Sequence, residues 1–565
     1  MRPLLLLLAA AGAAARAAPQ PTVTIPGLGA VQGVANALAE EYRAIPYAAP
    51  PQRWAAPAPP AAWAPAVLDG TRDPAGCMQM CHEPQGVCPA TVSEDCLYLN
   101  VFRPLGGPPA GTLLPVLFYV HGGNFRDGFA GGLLYNGTFL AAPTDGGAGA
   151  IVVAISYRLG VFGFLYGGDA PGAPPGNLGL ADQRAALVWV QAHIAAFGGD
   201  AARVTLFGQS AGAMSVASHM IAPASRGLFA AAFAISEPFD LPFRDAPSAL
   251  AAFDAVTWAA GCGGAPSAAA CLRALPATAL LDAQVAAQAN LTDDAANLLQ
   301  AFMPFCPTVG LPDAEVPNWP IYSFQGRAGA APVADVPFLA STTSSEGSLF
   351  IYAAFGKNVT TELEYDALLT VFYGPAAAPR VVAQYPVPAP LPGDLRPLIA
   401  NVTTDDIFRC ATRNATRSLA AAPGRKSPVY LARFSELLSW SPALWTNLSV
   451  VCWTQVCHGA DLPFWWQAED PPRSNWQPDE LRLSAAMRAY LVEFATTAGA
   501  RMGSGLPDAP VAWPPLDAAS GAAPQMELAL PAWRVSDEAG YEACALWDAV
   551  GYSNDGAWGR AGGRR

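Results

Sequence analysis

The segment Gly208-Gln209-Ser210-Ala211-Gly212 has the G-x-S-x-G pattern of a nucleophilic serine. The apolar residues 204–207 before it predict a short buried strand, and the small apolar residues 211–221 after it predict a helix. A serine on such a strand-to-helix turn has a strained backbone and an exposed hydroxyl. Because a tight turn with an incidental serine would show the same five residues, the interpretation depends on partners elsewhere in the chain.

The histidines of the chain narrow the choice of a general base for this serine. In the α/β-hydrolase order the acid and then the histidine follow the serine. His219 follows Ser210 too closely to leave room for an acid, so His458 is the candidate. It lies in residues 457–464, a stretch with Gly and Pro that predicts a loop. The five histidines are His82, His121, His193, His219 and His458.

The acid is less constrained by position, because several carboxylates lie between Ser210 and His458. Glu346 follows the apolar run 336–340 and the small polar residues Ser341-Thr342-Thr343. This order predicts a short strand that leads into a loop, where the carboxylate could turn inward. Spacing alone leaves a solvated loop glutamate equally open.

Backbone donors for an oxyanion are predicted after a second buried strand. The apolar run 114–120 is followed by His121-Gly122-Gly123, and adjacent glycines let N–H groups approach a substrate oxygen closely. The N–H of Ala211 is a further candidate donor. One such donor typically lowers a barrier by about 2.7–4 kcal/mol. The alternative is an ordinary turn at a strand end.

Further motifs occur in a regular order along the chain. They are Ala44-Ile45-Pro46-Tyr47-Ala48, Ser93-Glu94-Asp95-Cys96-Leu97-Tyr98-Leu99-Asn100, Tyr157-Arg158-Leu159-Gly160, Gly176-Asn177-Leu178-Gly179-Leu180-Ala181-Asp182-Gln183, Phe197-Gly198-Gly199-Asp200, Glu346-Gly347 and His458-Gly459. With them the chain resembles the type-B carboxylesterases and cholinesterase-like proteins from about residue 33 to residue 548. The resemblance implies Ser210 as nucleophile, Glu346 as acid and His458 as base. It implies an oxyanion hole of Gly122, Gly123 and Ala211, and two ion pairs, Arg53–Glu94 and Arg158–Asp182.

Four features depart from the pattern of this family or of its cholinesterase branch. Glu237 stands where glycine is usual, and Asp461 stands where glutamate is usual after His-Gly-x. Gln209 precedes the nucleophile, whereas cholinesterases have glutamate there. The loop from Cys77 to Cys96 contains no tryptophan, the residue that stacks on the quaternary ammonium in cholinesterases. We therefore expect a hydrolase that is not specific for choline esters.

Eleven cysteines are typical of an oxidising compartment, and the odd number leaves at least one unpaired. The resemblance implies the bridges Cys77–Cys96, Cys262–Cys271 and Cys410–Cys544. Cys81–Cys88 and Cys452–Cys457 are local candidates, with reduced thiols as the alternative for the second pair, and Cys306 would then be free. No paired Cys/His cluster has zinc-site spacing, so neither a metal nor a cofactor is expected.

The composition predicts a secreted protein. Residues 1–17 have the charged start, short apolar core and small-x-small cleavage site of a signal peptide. No later stretch is apolar enough to span a bilayer, and the net charge of −13 argues against nucleic-acid partners. Six Asn-x-Ser/Thr sequons agree with secretory passage. These sequons are Asn136, Asn290, Asn358, Asn401, Asn414 and Asn447.

These patterns predict one large α/β domain over residues 18–565, because no linker or repeat divides it. The expected architecture is an α/β-hydrolase fold with a central mostly parallel sheet, helices on both faces and a large helical cap region. The expected activity is hydrolysis of small-molecule carboxylic esters through an acyl-enzyme on Ser210. The alternatives are a lipase acting on lipid esters and a non-catalytic adhesion or binding protein on the same scaffold.

Overall fold

A mixed sheet of eleven strands runs through the part of the chain that the computed structural model describes. The described residues are 20–81, 88–143, 147–292, 303–440, 450–469, 474–500, 502–503, 511–517, 523–537 and 541–552. The predicted signal peptide, His82 and Asn447 lie outside these ranges. The strands are β1 Thr22–Ile25, β2 Gly29–Gln32, β3 Val34–Ala35, β4 Ala39–Pro46, β5 Val67–Asp69, β6 Gly76–Cys77, β7 Val92–Ser93, β8 Tyr98–Pro104, β9 Leu114–Val120, β10 Ile151–Ile155, β11 Gly199–Gln209, β12 Ala231–Ile235, β13 Phe338–Thr343, β14 Val429–Phe434, β15 Pro524–Leu528 and β16 Arg534–Asp537.

The order of the large sheet is β16-β15-β14-β13-β12-β11-β9-β10-β8-β4-β3. Every pair from β15 to β10 is parallel, and the pairs at both edges are antiparallel. All residues of β9, β10 and β12 are buried. Such continuous apolar strands form parallel sheets that are covered on both faces. The predicted mostly parallel sheet is confirmed.

Helices pack on both faces of this sheet. They are α1 Thr138–Ala141, α2 Gly160–Gly163, α3 Leu178–His193, α4 Ala211–Ile221, α5 Ala246–Ala259, α6 Ala268–Ala274, α7 Ala277–Thr292, α8 Pro320–Phe324, α9 Glu346–Ala354, α10 Glu362–Gln384, α11 Arg396–Thr403, α12 Ala411–Ala420, α13 Leu462–Trp466, α14 Pro478–Thr496 and α15 Cys544–Val550. On one face Val116 and Phe118 of β9 share an apolar core with α3 and α4. On the other face Leu117 and Tyr119 share a core with α13 and α14. Alternate residues of one strand therefore enter two cores, as the pleat requires.

The long segments between β12 and β14 form the helical cap region. They contain α5 to α12, and a π-helical turn, Thr404–Cys410, joins α11 to α12. Side chains from this region reach Ser210, because Met303, Phe350 and Ile407 line the same cleft as the serine. A π-helical turn widens a helix locally and is frequent at functional sites.

Five disulfides tie loops and helices to this framework. They are Cys77–Cys96, Cys81–Cys88, Cys262–Cys271, Cys410–Cys544 and Cys452–Cys457, and Cys306 is a buried free cysteine. Cys410–Cys544 connects the π-helical turn of the cap to α15, near the end of the described chain. Among the helices of the described ranges, none is both long and apolar enough to cross a membrane.

Candidate active site

Ser210 lies on a sharp turn between β11 and α4 and has φ 58° and ψ −124°. Its N–H donates to the carbonyl of Ile235 on the next strand, at 2.9 Å. A Cβ on Gly208 would lie 2.5 Å from the backbone of Gly212, and a Cβ on Gly212 would collide with the carbonyl of Val120. Only glycines fit both positions, so the close packing of strand, turn and helix holds Ser210 in its strained conformation.

Glu346 follows β13 closely, and His458, in the longer segment after β14, meets it there. The Nδ1 atom of His458 lies 2.6 Å from the Oε2 atom of Glu346, and both residues are buried. The Oε1 atom of Glu346 accepts a hydrogen bond from the backbone N–H of Thr343, at 2.6 Å. With both oxygens engaged, the carboxylate fixes the ring orientation of the histidine and keeps a proton on Nδ1.

The two loops that carry this pair are joined to each other. The N–H of Ser345 donates to the carbonyl of Val456 at 3.1 Å, and the disulfide Cys452–Cys457 closes the loop immediately before His458. Glu346 itself begins α9, so the predicted loop is shorter than expected. The residues Ser341-Thr342-Thr343 belong to β13 rather than to a connection.

The second ring nitrogen of His458 has Gln209 as its partner. The amide Nε2 of Gln209 lies 3.1 Å from the Nε2 of His458 and donates to it, since the Nδ1 proton faces Glu346. The rings of Phe350 and Phe408 lie 4.9 Å and 5.3 Å from the imidazole, between centroids. The buried imidazole of His458 is thus packed between two aromatic rings and holds the amide of Gln209 at its Nε2 atom. The sequence analysis noted Gln209 only as an uncharged residue and missed this contact.

The glycine loop after β9 lies against Ser210. A Cβ on Gly122 would be 2.8 Å from the carbonyl of Gln209 and 3.0 Å from Cβ of Ser210, whereas one on Gly123 would meet Asp127. The ring of His121 bonds to the carbonyl of Gly122 at 2.8 Å. Burial lowers the pKa of His121 to about 4, so its ring is a neutral structural donor at this loop. Ala211, the third candidate donor, is the first residue of α4.

A cleft with an empty volume of about 430 Å³, its open mouth included, begins at Ser210. Among the described residues its lining is mostly apolar and includes no charged side chain. The lining residues are Asn124, Ser210, Pro238, Leu241, Met303, Phe350, Thr403, Ile407 and Phe408. The place of Asn124 in the cleft was not predicted from the sequence. Its position next to the paired glycines was the available signal.

Glu237 and Asp461, the two carboxyl residues that depart from the family pattern, are both buried near the candidate site. Burial raises the pKa of Glu237 well above its usual value, and Pro238, which follows it, lines the cleft. Burial and the negative charge of Glu346 raise the pKa of Asp461 to about 7. Among the described residues there is no group of three His, Cys, Asp or Glu side chains that could hold a metal ion.

The strand order, with the serine after β11, the glutamate after β13 and the histidine in the segment after β14, defines an α/β-hydrolase. The model of the carboxylesterase family matches residues 19–547, and the chain belongs to that family. It is 32% identical to the Crystal protein of Dictyostelium discoideum, over 93% of this chain and 90% of that protein. It is 34% identical to the para-nitrobenzyl esterase of Bacillus subtilis (strain 168), over 77% and 81% of the two chains. A solved PNB esterase superimposes with a TM-score of 0.72 at 28% identity, and the match covers 93% of this chain and 99% of the other.

Proposed function

We propose that this protein is a secreted serine esterase that hydrolyses small carboxylic esters through an acyl-enzyme on Ser210. The observation that carries the proposal is the 2.6 Å contact between Glu346 and His458 beside a serine held at φ 58°. A strained serine, a base and an acid that orients the base are the parts that nucleophilic acyl transfer requires.

In the proposed reaction His458 removes the hydroxyl proton of Ser210 while the oxygen attacks the ester carbonyl. The negative charge of the tetrahedral intermediate falls near the backbone N–H groups of Gly122, Gly123 and Ala211. His458 then protonates the leaving alcohol, and water attacks the acyl-enzyme by the same route. Gln209 has to give up its bond to Nε2 of His458 when the serine engages that nitrogen. Catalytic hydrogen bonds often form only once substrate is bound.

Further observations support the class of substrate and the location. The relatives include the para-nitrobenzyl esterase and a protein named cocaine esterase from Oryctolagus cuniculus, 45% identical over 201 residues. The described lining of the cleft is mostly apolar and carries no charge, which suits neutral esters. Five disulfides and the exposed sequon residues Asn358 and Asn401 are compatible with an extracellular protein. We also propose that residues 18–565 form a single domain around the central sheet.

The decisive experiment compares the wild type with Ser210→Ala and with a control, Ser427→Ala, at a serine remote from the cleft. Hydrolysis of p-nitrophenyl butyrate and labelling by a fluorophosphonate probe are measured on protein of verified fold. We expect Ser210→Ala to lose both signals, with a rate at least about a thousandfold lower, and Ser427→Ala to keep both. Neither hydrolysis nor labelling by the wild type would instead support a non-catalytic binding protein.

A further inference from the structure

Asn124 is an unusual residue for the place it occupies. Its backbone has φ 55°, in the left-handed region that glycine adopts readily and other residues rarely do. It follows the paired glycines, is half-buried and lines the cleft together with Ser210. Its side-chain amide, which can both donate and accept, has no hydrogen-bond partner among the described residues.

The other described side chains of the cleft leave this amide unpaired. Six of them are apolar. The hydroxyl of Thr403 uses its proton in a bond to the carbonyl of Ile399 at 2.8 Å, so it has no proton left to donate to a ligand. Apart from Ser210, the amide of Asn124 is therefore the described lining side chain that can donate a hydrogen bond to a bound molecule. A polar group in an apolar cleft favours ligands that pair with it and disfavours those that leave it unpaired.

We propose that the side chain of Asn124 is a specificity-determining residue that hydrogen-bonds a polar atom near the ester group of the substrate. The proposal rests on the proposed esterase function and specifies its substrate class. Preferred substrates are neutral esters that carry an ether or hydroxyl oxygen a few bonds from the ester carbonyl, within an otherwise apolar molecule. The amide acts on binding and orientation, while Ser210, His458 and Glu346 perform the acyl transfer.

The left-handed backbone offers a competing explanation for the asparagine, since asparagine tolerates this conformation better than most residues. Glycine separates the two explanations, because it adopts φ 55° at no steric cost and removes the amide. If asparagine serves only the backbone, Asn124→Gly leaves the relative rates on different esters unchanged. If the amide binds substrate, the variant loses the preference for the oxygenated ester.

The test uses two pairs of esters in which an ether oxygen replaces one methylene. The acyl pair is p-nitrophenyl methoxyacetate and p-nitrophenyl butyrate, and the alcohol pair is 2-methoxyethyl acetate and butyl acetate. For each pair the ratio of kcat/KM values is compared between wild type and Asn124→Gly, so that intrinsic reactivity cancels. Met303→Leu is the control, because it alters the shape of the same cleft without removing a hydrogen-bonding group.

We expect Asn124→Gly to lower the ratio of oxygenated to plain ester by roughly fivefold in at least one pair, the effect of one neutral hydrogen bond. Met303→Leu should change both esters of a pair together. Unchanged ratios in both pairs, with a folded and active Asn124→Gly, would overturn the proposal and leave the esterase function intact. Absence of hydrolysis by the wild type would instead contradict the esterase function itself.

Discussion

Asp461 is a buried carboxyl group close to the proposed acid and base. It is fully buried, its Oδ2 atom accepts a bond from the indole N–H of Trp465 at 3.1 Å, and its Oδ1 atom has no partner within the described part of the chain. Burial and the charge of Glu346 raise its pKa to about 7. Asp461 thus carries a proton below neutral pH, and its ionisation would place a second negative charge beside Glu346.

This shift makes the stability of the fold depend on pH. An aspartate in the unfolded chain loses its proton near pH 3.9, whereas Asp461 in the folded protein keeps its proton until about pH 7. Between about pH 4 and pH 7 the folded state binds the additional proton, so the contribution of Asp461 to stability falls as pH rises. Asp461→Asn cannot ionise and retains an acceptor for Trp465. Differential scanning calorimetry gives the Tm of the variant minus the Tm of the wild type at each pH. We expect this difference to be several degrees higher at pH 8 than at pH 5. An equal difference at the two pH values would contradict the shift.

The proposed catalytic residues differ in how far sequence could predict them. Ser210 and His458 follow from residue type and chain order, because few histidines compete. Glu346 required the resemblance, because spacing does not exclude other carboxylates. The bond from Gln209 to His458 spans 249 positions. Its formation depends on how the loop after β14 folds over the turn after β11, and no local pattern encodes that. The orientation of Asn124 toward the cleft depends on the cap in the same way.

At the level of elements, continuous apolar runs were the most informative signal. The run 114–120 coincides with β9, because a strand buried on both faces requires apolar residues throughout. Residues 211–221 coincide with α4, whose buried Ser215, Ser218 and His219 are each hydrogen-bonded. β13 extends beyond its apolar residues, since Thr342 and Thr343 pair with Arg433 and Phe434 of β14. That extension comes from tertiary pairing, which overrides the polar character of the segment.

Two ion pairs that join elements differ in burial and should differ in importance. Arg158, after β10, makes two 2.7 Å bonds to the carboxylate of Asp182 on α3, and both side chains are almost completely buried. Arg53 pairs with Glu94 at 2.5 Å, but 29% of the Glu94 side chain is exposed. Arg53 also donates to backbone carbonyl groups, such as that of Leu275 at 2.7 Å. If Glu94 loses its charge, the guanidinium of Arg53 therefore still has carbonyl partners and access to water.

Neutralising each carboxylate in turn tests this difference. Asp182→Asn leaves a buried guanidinium without its counter-charge, which typically costs about 3–5 kcal/mol. Glu94→Gln leaves Arg53 with its carbonyl partners and partial access to water, so we expect a cost of about 1 kcal/mol. Urea unfolding of the two variants and the yield of folded protein measure the effect. Equal losses for the two variants would show that burial does not decide the importance of these pairs.

At the level of the whole molecule, the chain is strongly acidic, whereas the described lining of its cleft is uncharged. The chain carries a net charge of −13, which attracts cations toward the surface at low ionic strength. The described lining of the cleft, in contrast, is uncharged and includes the aromatic residues Phe350 and Phe408. The rings of both lie against His458. A cationic substrate would therefore be attracted by the molecule without finding a matching charge at the proposed nucleophile.

If the proposed esterase function holds, we expect no marked preference for choline esters. The loop from Cys77 to Cys96 has no tryptophan for a cation–π contact, and Gln209 supplies no negative charge beside Ser210. The test compares kcat/KM for acetylthiocholine with that for S-(3,3-dimethylbutyl) thioacetate, in which carbon replaces the charged nitrogen. Each is measured at 0.05 M and 0.5 M NaCl, because attraction by the surface charge is screened by salt whereas a contact inside the cleft is not.

We expect the kcat/KM for acetylthiocholine to exceed that for the neutral thioester by less than about tenfold at low salt, and the two values to become equal at high salt. A tenfold or greater preference for acetylthiocholine that persists at 0.5 M NaCl, about 1.4 kcal/mol of discrimination, would mean that the cleft contains a cation site and would refute this prediction.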